Sequence, residues 1–563
     1  MMPLSILRAP PFPWADASVS DFSSAPPFPA DAPKADAAKL FGLVCEARVG
    51  GRFWADPAIL GKPVEIVIRP RDIGDLATRL EALTASDRKN VLWIAPSSSQ
   101  SLKRELNRLV TEGNGVWRGD VDPWSVLPGA RTLLAHGDDE WVALARIAGV
   151  PVQVLSQGRF GAPGDNSTKL DELVAEDIAS TAWRDPFSGE SSTIEAVVDL
   201  LAMWRSILAG NRSIIAACGM AWWKRPEIRR FLWHPQRRLR LVSSPKRALS
   251  LAAKSGGAVA IWPSRVSPGL IAKAQQKGTV LVRVEDGFVR SAGLGVDLVP
   301  PSSVVVDHSG IHFDPSGASD LETLLNDTQP SPRLLERAQS LRQTIVAAGI
   351  SKYAAGKLSA FPERQPGRRL VLVPAQVEDD MSVLAGGCGL TSNLELLRRV
   401  RAMEPEAEIW FRPHPDVDAG HRKGAVPDGE VLAFADRIIR GGSMAPLLNV
   451  VDAVHVLTSL TGFEALLRGR EVICHGIPFY AGWGLTQDLG PSTHRRMQAL
   501  SLDALVAGVL ILYPRYLDPV TGLPCPPEVL VRRMANADKT NRLAWIAPLR
   551  GWQGRLMAAL RKR

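Results

Sequence analysis

Short runs of β-branched and apolar residues recur along the chain at 90–94, 131–134, 213–217, 258–262, 279–282, 370–373, 408–411, 453–457 and 471–474. Helix-like stretches lie between them. Continuous apolar strands alternating with helices predict parallel sheets covered on both faces, so the expected fold class is α/β. A linker at 327–332, a helix at 333–348 and a Pro/Gly/Arg-rich stretch at 361–369 divide the later strands into two groups. Two Rossmann-like domains are expected, at 195–345 and 366–528, with a ligand crevice at the carboxyl ends of their sheets.

A further unit precedes them. The segment from Pro123 to His136, followed by Glu140-Trp-Val-Ala-Leu and Gly149-Val-Pro-Val-Gln-Val, repeats the order of Met444 to Leu457, Gly462-Phe-Glu-Ala-Leu and Gly469-Arg-Glu-Val-Ile-Cys. Both read as helix, strand, loop, helix, strand. In the front copy Val142 stands where the later one has Glu464, and His136-Gly-Asp-Asp-Glu replaces Thr458-Ser-Leu-Thr-Gly. Residues 39–190 are therefore expected to be a degenerate, non-catalytic Rossmann-like half-module that keeps the fold without the polar loop. The Pro/Ala-rich residues 1–38, with Pro10, Pro11, Pro26, Pro27 and Pro33, read as a flexible lead.

Composition narrows the function. At 563 residues and 45% hydrophobic the chain can bury several cores, and none of its apolar stretches approaches the roughly 18–20 residues that span a bilayer. The start lacks a secretory signal pattern. Five scattered cysteines have neither zinc-site nor disulfide spacing and fit a reducing cytoplasm. The net charge of +9 is concentrated near the end, where Arg532, Arg533, Lys539, Arg542, Arg550, Arg555, Arg561, Lys562 and Arg563 interleave with Trp545, Leu549, Trp552 and Leu556. Residues 529–563 thus suit a basic amphipathic tail on anionic headgroups, or a solvated terminal helix. Beyond net charge nothing supports nucleic-acid binding.

Four polar clusters follow strand-like runs. The first runs from Arg283 through Glu285, Asp286 and Arg290 to Gly295; its carboxylates are acid/base candidates and Arg290 an anion clamp, while an N-cap with a surface ion pair fits as well. The second, Gln376-Val-Glu-Asp-Asp-Met-Ser, crowds Glu378, Asp379 and Asp380, which raises a pKa or demands a cation. A divalent metal there is not required, because basic residues supply the phosphate ligands. They come from the third cluster, where Arg412 and His414 sit among prolines and Arg422 and Lys423 follow. In the fourth, Thr458, Ser459 and Thr461 precede Gly462 and a helix expected to begin near Phe463, forming a phosphate cradle. Glu464, in that helix's first turn, serves a ribose hydroxyl or the helix dipole.

These clusters together resemble the capsular polysaccharide β-Kdo glycosyltransferases, a family also described as capsule export proteins. The phrases that carry the likeness are Glu285-Asp-Gly-Phe-Val-Arg-Ser-Ala-Gly-Leu-Gly, Gln376-Val-Glu-Asp-Asp-Met-Ser, His414-Pro-Asp-Val, Leu457-Thr-Ser-Leu-Thr-Gly-Phe-Glu-Ala-Leu, Pro478-Phe-Tyr-Ala-Gly-Trp-Gly and Tyr513-Pro-Arg-Tyr-Leu-Asp-Pro-Val-Thr-Gly. They agree in order from about residue 197 to 525 with the family's second module. The resemblance implies a GT-B-like fold and no cofactor or metal. It implies CMP-Kdo as donor, a lipid-linked Kdo acceptor and retention of configuration.

On that resemblance Asp380 is the nucleophile and Glu285 or Asp286 the base. Arg412, His414, Lys423, Ser459, Thr461 and Glu464 hold the donor, and Arg290, Gln376 and Asp379 contact sugar or acceptor. The setting it implies is cytoplasmic, peripheral to the inner membrane, with a capsule-export complex as a partner. Two other readings remain, a non-catalytic export scaffold and a CDP-glycerol-type glycerophosphotransferase.

Overall fold

The computed structural model describes residues 5–15, 36–61, 64–95, 99–290, 300–351, 363–418, 420 and 422–536. It divides into two units. The first comprises Met1–Arg212, Trp233–Arg238 and Val520–Leu523, and the second the rest.

In the first unit, strands β1 (Ile66–Ile68), β2 (Val91–Ile94), β3 (Val116–Arg118), β4 (Thr132–Ala135) and β5 (Val152–Val154) form a sheet in the order β3-β2-β1-β4-β5. All its pairs are parallel. This is a Rossmann order with its switch point between β1 and β4. Ile66, Ile68, Trp93, Leu102 and Leu106 form its core. A small antiparallel pair, β6 (Trp183–Arg184) with β7 (Ser191–Ser192), follows.

One expectation about this unit is corrected. Residues 5–15 are not a loose lead, for Ile6, Leu7 and Phe12 are buried and Phe12 packs on Trp204 and Trp233 at 5.1 and 4.9 Å. Three large apolar side chains in eleven residues outweigh the three prolines among them. Pro26, Pro27 and Pro33 lie outside the described residues. The front loop lacks the later copy's hydroxyls, and its own polar side chains are paired. His136 bonds Asp75 (2.8 Å) and Ser156 (3.0 Å), Arg69 donates to Asp139 (2.6 Å), and Arg71 donates to Asp138 (2.7 Å). These groups are paired within the module, and the loop lies so close to its neighbour that a Cβ on Gly137 would stand 2.1 Å from the Gly161 carbonyl oxygen.

The second unit holds two sheets. One has the order β20-β19-β12-β11-β10-β8-β9, built from β8 (Ile214–Cys218), β9 (Arg240–Val242), β10 (Ala258–Ile261), β11 (Leu281–Asp286), β12 (Ser303–Asp307), β19 (Pro514–Leu517) and β20 (Pro524–Cys525). Its first four strands pair in parallel, whereas β12, β19 and β20 join antiparallel. The other sheet contains β13 (Leu370–Pro374), β14 (Glu408–Arg412), β15 (Arg437–Ile438), β16 (Ala453–Val456), β17 (Glu471–Cys474) and β18 (Gln487–Asp488). Its order, β15-β14-β13-β16-β17-β18, is fully parallel and Rossmann-like, with the switch point between β13 and β16.

The front sheet therefore reproduces the first five positions of this last sheet. The matched sequence segments occupy equivalent strands, β4 and β5 in one and β16 and β17 in the other. The expected boundary at 528 differs from the structure in one respect, because β19 and β20 add to the earlier sheet of the second unit. Tyr513 holds that crossing by donating to Asp307 Oδ2 at 2.7 Å, and Tyr516 donates to the Leu510 carbonyl at 2.7 Å. The beginning of the expected tail is also part of the fold, as the helix Pro527–Ala535, whose Arg533 donates to Asp518 at 3.0 Å. Residues 537–563, which carry most of the tail's basic and tryptophan residues, lie outside the described ones.

Candidate functional site

The polar clusters stand at the carboxyl ends of β11, β13, β14 and β16, where α/β sheets bind ligands. Immediately past β13, Asp380 caps the helix Met381–Gly386. Its Oδ1 accepts from the Ser382 N–H (3.0 Å) and the Ser382 hydroxyl (2.8 Å). That hydroxyl in turn accepts from Thr458 Oγ1 at 3.4 Å, and Thr458 Oγ1 accepts from Gln376 Nε2 at 3.0 Å. Gln376 closes the arrangement by accepting the Thr458 N–H on Oε1 at 2.8 Å. A directional relay thus runs from Gln376 through Thr458 and Ser382 to the Asp380 carboxylate, joining the second and fourth sequence clusters across the β13/β16 switch point. Each link donates toward the next, so polarisation accumulates toward the anion.

The three adjacent acids separate in space. Glu378 Oε1 accepts from the Asn393 N–H at 2.8 Å. Asp379 is exposed and paired with Arg422 at 2.9 Å. Asp380 alone meets the relay. Crowding is relieved by distinct partners, and the expected mutual repulsion is not what shapes this loop. Gln376, expected at the sugar, is buried and spent on Thr458 and Asn393, so it supports Asp380 from behind.

Two donor-side expectations are also redirected. Arg412 is buried, and its two terminal nitrogens donate to the Gly441 and Gly442 carbonyls at 2.8 and 2.7 Å. It therefore fixes the loop ahead of the helix Met444–Val450, and burial pushes its pKa down. His414 Nδ1 accepts from the Asp416 N–H at 3.2 Å, which leaves the neutral ring's proton on Nε2. Lys423 is exposed, and its carbonyl accepts from the Glu378 N–H.

Ser459 caps the helix Leu460–Leu466, accepting the Thr461 N–H at 3.2 Å and donating to Thr461 Oγ1 at 3.1 Å. That helix begins three residues before the expected start at Phe463, since Ser459 supplies the capping oxygen. Glu464 consequently lies in its second turn, buried, and does not complement the helix dipole. Gly462 is required by packing. A Cβ there would sit 2.2 Å from Tyr480 Oη, whose hydroxyl donates to the Ser459 carbonyl.

At the end of β11, the Asp286 carboxylate receives Lys224 Nζ at 2.9 and 3.0 Å and Arg290 Nε at 2.9 Å, and Glu285 Oε1 accepts the Asp286 N–H at 3.0 Å. Arg290 is only 1% exposed, which removes it as a substrate clamp. Two residues past β11, Phe288 packs on Phe479 (4.6 Å) and Phe463 (6.3 Å), so this loop meets the helix that Ser459 caps. Lys224, Ser382 and Asn393 were missed by sequence reasoning. Ser382 stood inside a quoted motif, but Lys224 belongs to no motif and Asn393 lies in an ordinary helix start. The motif residues Ser291 to Gly295 lie outside the described residues.

Residues 257–516 match the family of capsule polysaccharide biosynthesis proteins. Among relatives, the chain is 38% identical over 375 residues to the capsule polysaccharide modification protein LipA of Neisseria meningitidis serogroup A, covering 66% of this chain and 53% of that protein. It is 46% identical over 239 residues to the lipopolysaccharide-processing protein LpsZ of Rhizobium meliloti, covering 42% of this chain and 54% of that one. The chain thus spans about half the length of these curated relatives. Among solved structures, Thermosulfurimonas dismutans KpsC, a β-Kdo 2,4 transferase, is similar at 32% identity and TM-score 0.51, over 57% of this chain and 98% of that one. The KpsC β-Kdo 2,7 transferase is 35% identical with TM-score 0.48, over 58% and 99%.

An α/β protein with polar strand-end loops at a Rossmann switch point is the class that fold and site define. Within it, this chain belongs to the capsule polysaccharide biosynthesis family that includes the KpsC β-Kdo transferases. Among the described residues no helix is long and apolar enough to cross a membrane, and no group of His, Cys, Asp or Glu is arranged to hold a metal ion.

Proposed function

We propose that the chain is a retaining glycosyltransferase that moves Kdo from CMP-Kdo to a lipid-linked Kdo acceptor in capsule assembly. The observation that carries this reading is the relay ending on Asp380, which orients one carboxylate among three and keeps hydrogen bonds directed at it. In the first half-reaction Asp380 attacks the anomeric carbon. The bond from that carbon to the CMP phosphate oxygen breaks, and CMP leaves with the electron pair. In the second, the acceptor hydroxyl attacks the same carbon, displaces the Asp380 carboxylate and passes its proton to Glu285 or Asp286. Two inversions give net retention.

On this reading the Ser459 and Thr461 hydroxyls, the N–H groups of the helix they start, His414 Nε2–H and Lys423 receive the phosphate. Glu464 takes a ribose hydroxyl. The transfer needs no metal, because those donors meet the charge that develops on CMP. The acceptor's lipid brings the chain to the cytoplasmic face of the inner membrane, where the basic segment after residue 536 engages anionic headgroups and the export machinery takes up the product. Purified chain, CMP-Kdo and a synthetic Kdo glycolipid test this by product analysis. Extension by one β-linked Kdo supports it, and an unchanged acceptor overturns it.

A further inference from the structure

Lys224 is the least expected side chain of the second unit. It ends the short turn Trp222–Lys224 after β8, no motif marks it, and it is 7% exposed. A buried ammonium is costly unless paired. Here both Asp286 oxygens lie within 3.0 Å of Nζ, and Nζ stands 3.6 Å from the Trp262 ring centroid and 5.1 Å from that of Trp223. Arg290, nearly inaccessible, donates to the same carboxylate and stacks at 5.9 Å from Trp223. The charged groups acting on Lys224 are Asp286, Glu285 and Arg290. Burial pushes the lysine's pKa down and the two carboxylates hold it up.

A carboxylate gripped by two buried cations is a poor proton acceptor, because protonation would strand both. Asp286 instead passes order along the chain, since its own N–H holds Glu285 Oε1. We infer that Lys224 is a positioning residue of the transfer site: with Arg290 it pins Asp286 as an ionised anchor, and the pinned Asp286 backbone sets Glu285 as the group that receives the acceptor proton. This rests on the transferase reading above and divides the work between two adjacent carboxylates that sequence motifs leave equivalent.

The test compares the full chain with Lys224→Met and Lys224→Arg, following Kdo transfer from CMP-Kdo to a Kdo glycolipid across pH. Lys224→Met is expected to lower kcat roughly tenfold or more. It should leave the KM for CMP-Kdo unchanged and move the acid limb of the kcat profile to higher pH, because the carboxylate pair loses a cation. Lys224→Arg keeps the charge but not the compact seat over Trp262, so the limb should stay in place with a smaller fall in kcat. Should Lys224→Met fail to fold, Lys224→Arg decides alone: a lowered kcat at unchanged donor KM supports the role, and wild-type kcat overturns it. A folded Lys224→Met with wild-type kcat and pH profile also overturns it. A wild-type chain without transfer overturns the transferase reading itself, whereas an active wild type with an indifferent Lys224 overturns only the positioning role.

Discussion

Thr458→Val isolates the relay. Valine matches threonine in shape and keeps the backbone N–H that Gln376 Oε1 accepts, but it deletes the hydroxyl between Gln376 Nε2 and Ser382 Oγ. Gln376 is 9% exposed and Thr458 8%, so water has little access to the orphaned amide donor. An unsatisfied buried donor costs about 1–3 kcal/mol, and the change should lower stability by that amount in urea unfolding. Asp380 keeps its two bonds from Ser382, yet the Ser382 hydroxyl loses its incoming donor and becomes a weaker, less oriented partner. Misplacement of a reacting group by about an ångström is worth about a hundredfold, so kcat for Kdo transfer should fall by roughly ten- to a hundredfold with donor KM little changed. Thr458→Ser retains the hydroxyl and should keep most of the activity. Wild-type kcat in Thr458→Val would show that the relay does not serve Asp380.

Other consequences follow from the same geometry. Gly462→Ala drives a methyl into Tyr480, and should cost about 1–3 kcal/mol and weaken CMP binding measured by calorimetry, because the Ser459 carbonyl loses its anchor. Asp122→Ala removes the carboxylate, 3% exposed, that lies 2.6 Å from Arg205 Nη2 and leaves Arg205 the Phe53 carbonyl; a loss of about 1–3 kcal/mol is expected in the first unit's unfolding transition. His455 and His475, bonded to each other at 3.0 Å, are pushed by burial from 6.5 down to about 3 and about 4. The unfolded chain therefore binds protons that the fold refuses. Stability is full above pH 6.5 and declines as pH falls toward 4, by on the order of a few kcal/mol. Thermal midpoints across pH 4–7 should flatten in a His455→Gln/His475→Gln chain, and an unaltered slope would contradict the assignment.

The apolar strands were legible because buried parallel strands read as continuous hydrophobic runs. All nine sequence-expected runs coincide with strands of the structure. The strands missed were those of two or three residues, such as β1, β3 and β15, and those in the antiparallel part of the mixed sheet, whose sequence separation hides the pairing of β12 with β19. The motifs located the candidate site, but residue type misassigned the duties. Arg412 and Arg290 looked like anion clamps, because sequence shows a cation without showing the carbonyls and carboxylate that already occupy it. Gln376 looked like a sugar contact, although its amide is consumed by Thr458 eighty-two residues later. Lys224 had no signal at all, since its partner Asp286 is sixty-two residues away.

The proposed retaining transfer depends on Asp380 as its nucleophile. That role is checked by following transfer by wild-type and Asp380→Asn protein from CMP-Kdo to a Kdo glycolipid, with the product's anomeric configuration read by NMR and the protein's intact mass recorded during turnover. A β-linked product and a Kdo adduct are expected with the wild-type chain, and neither with Asp380→Asn. Full transfer by Asp380→Asn, or an inverted product from the wild type, would contradict it.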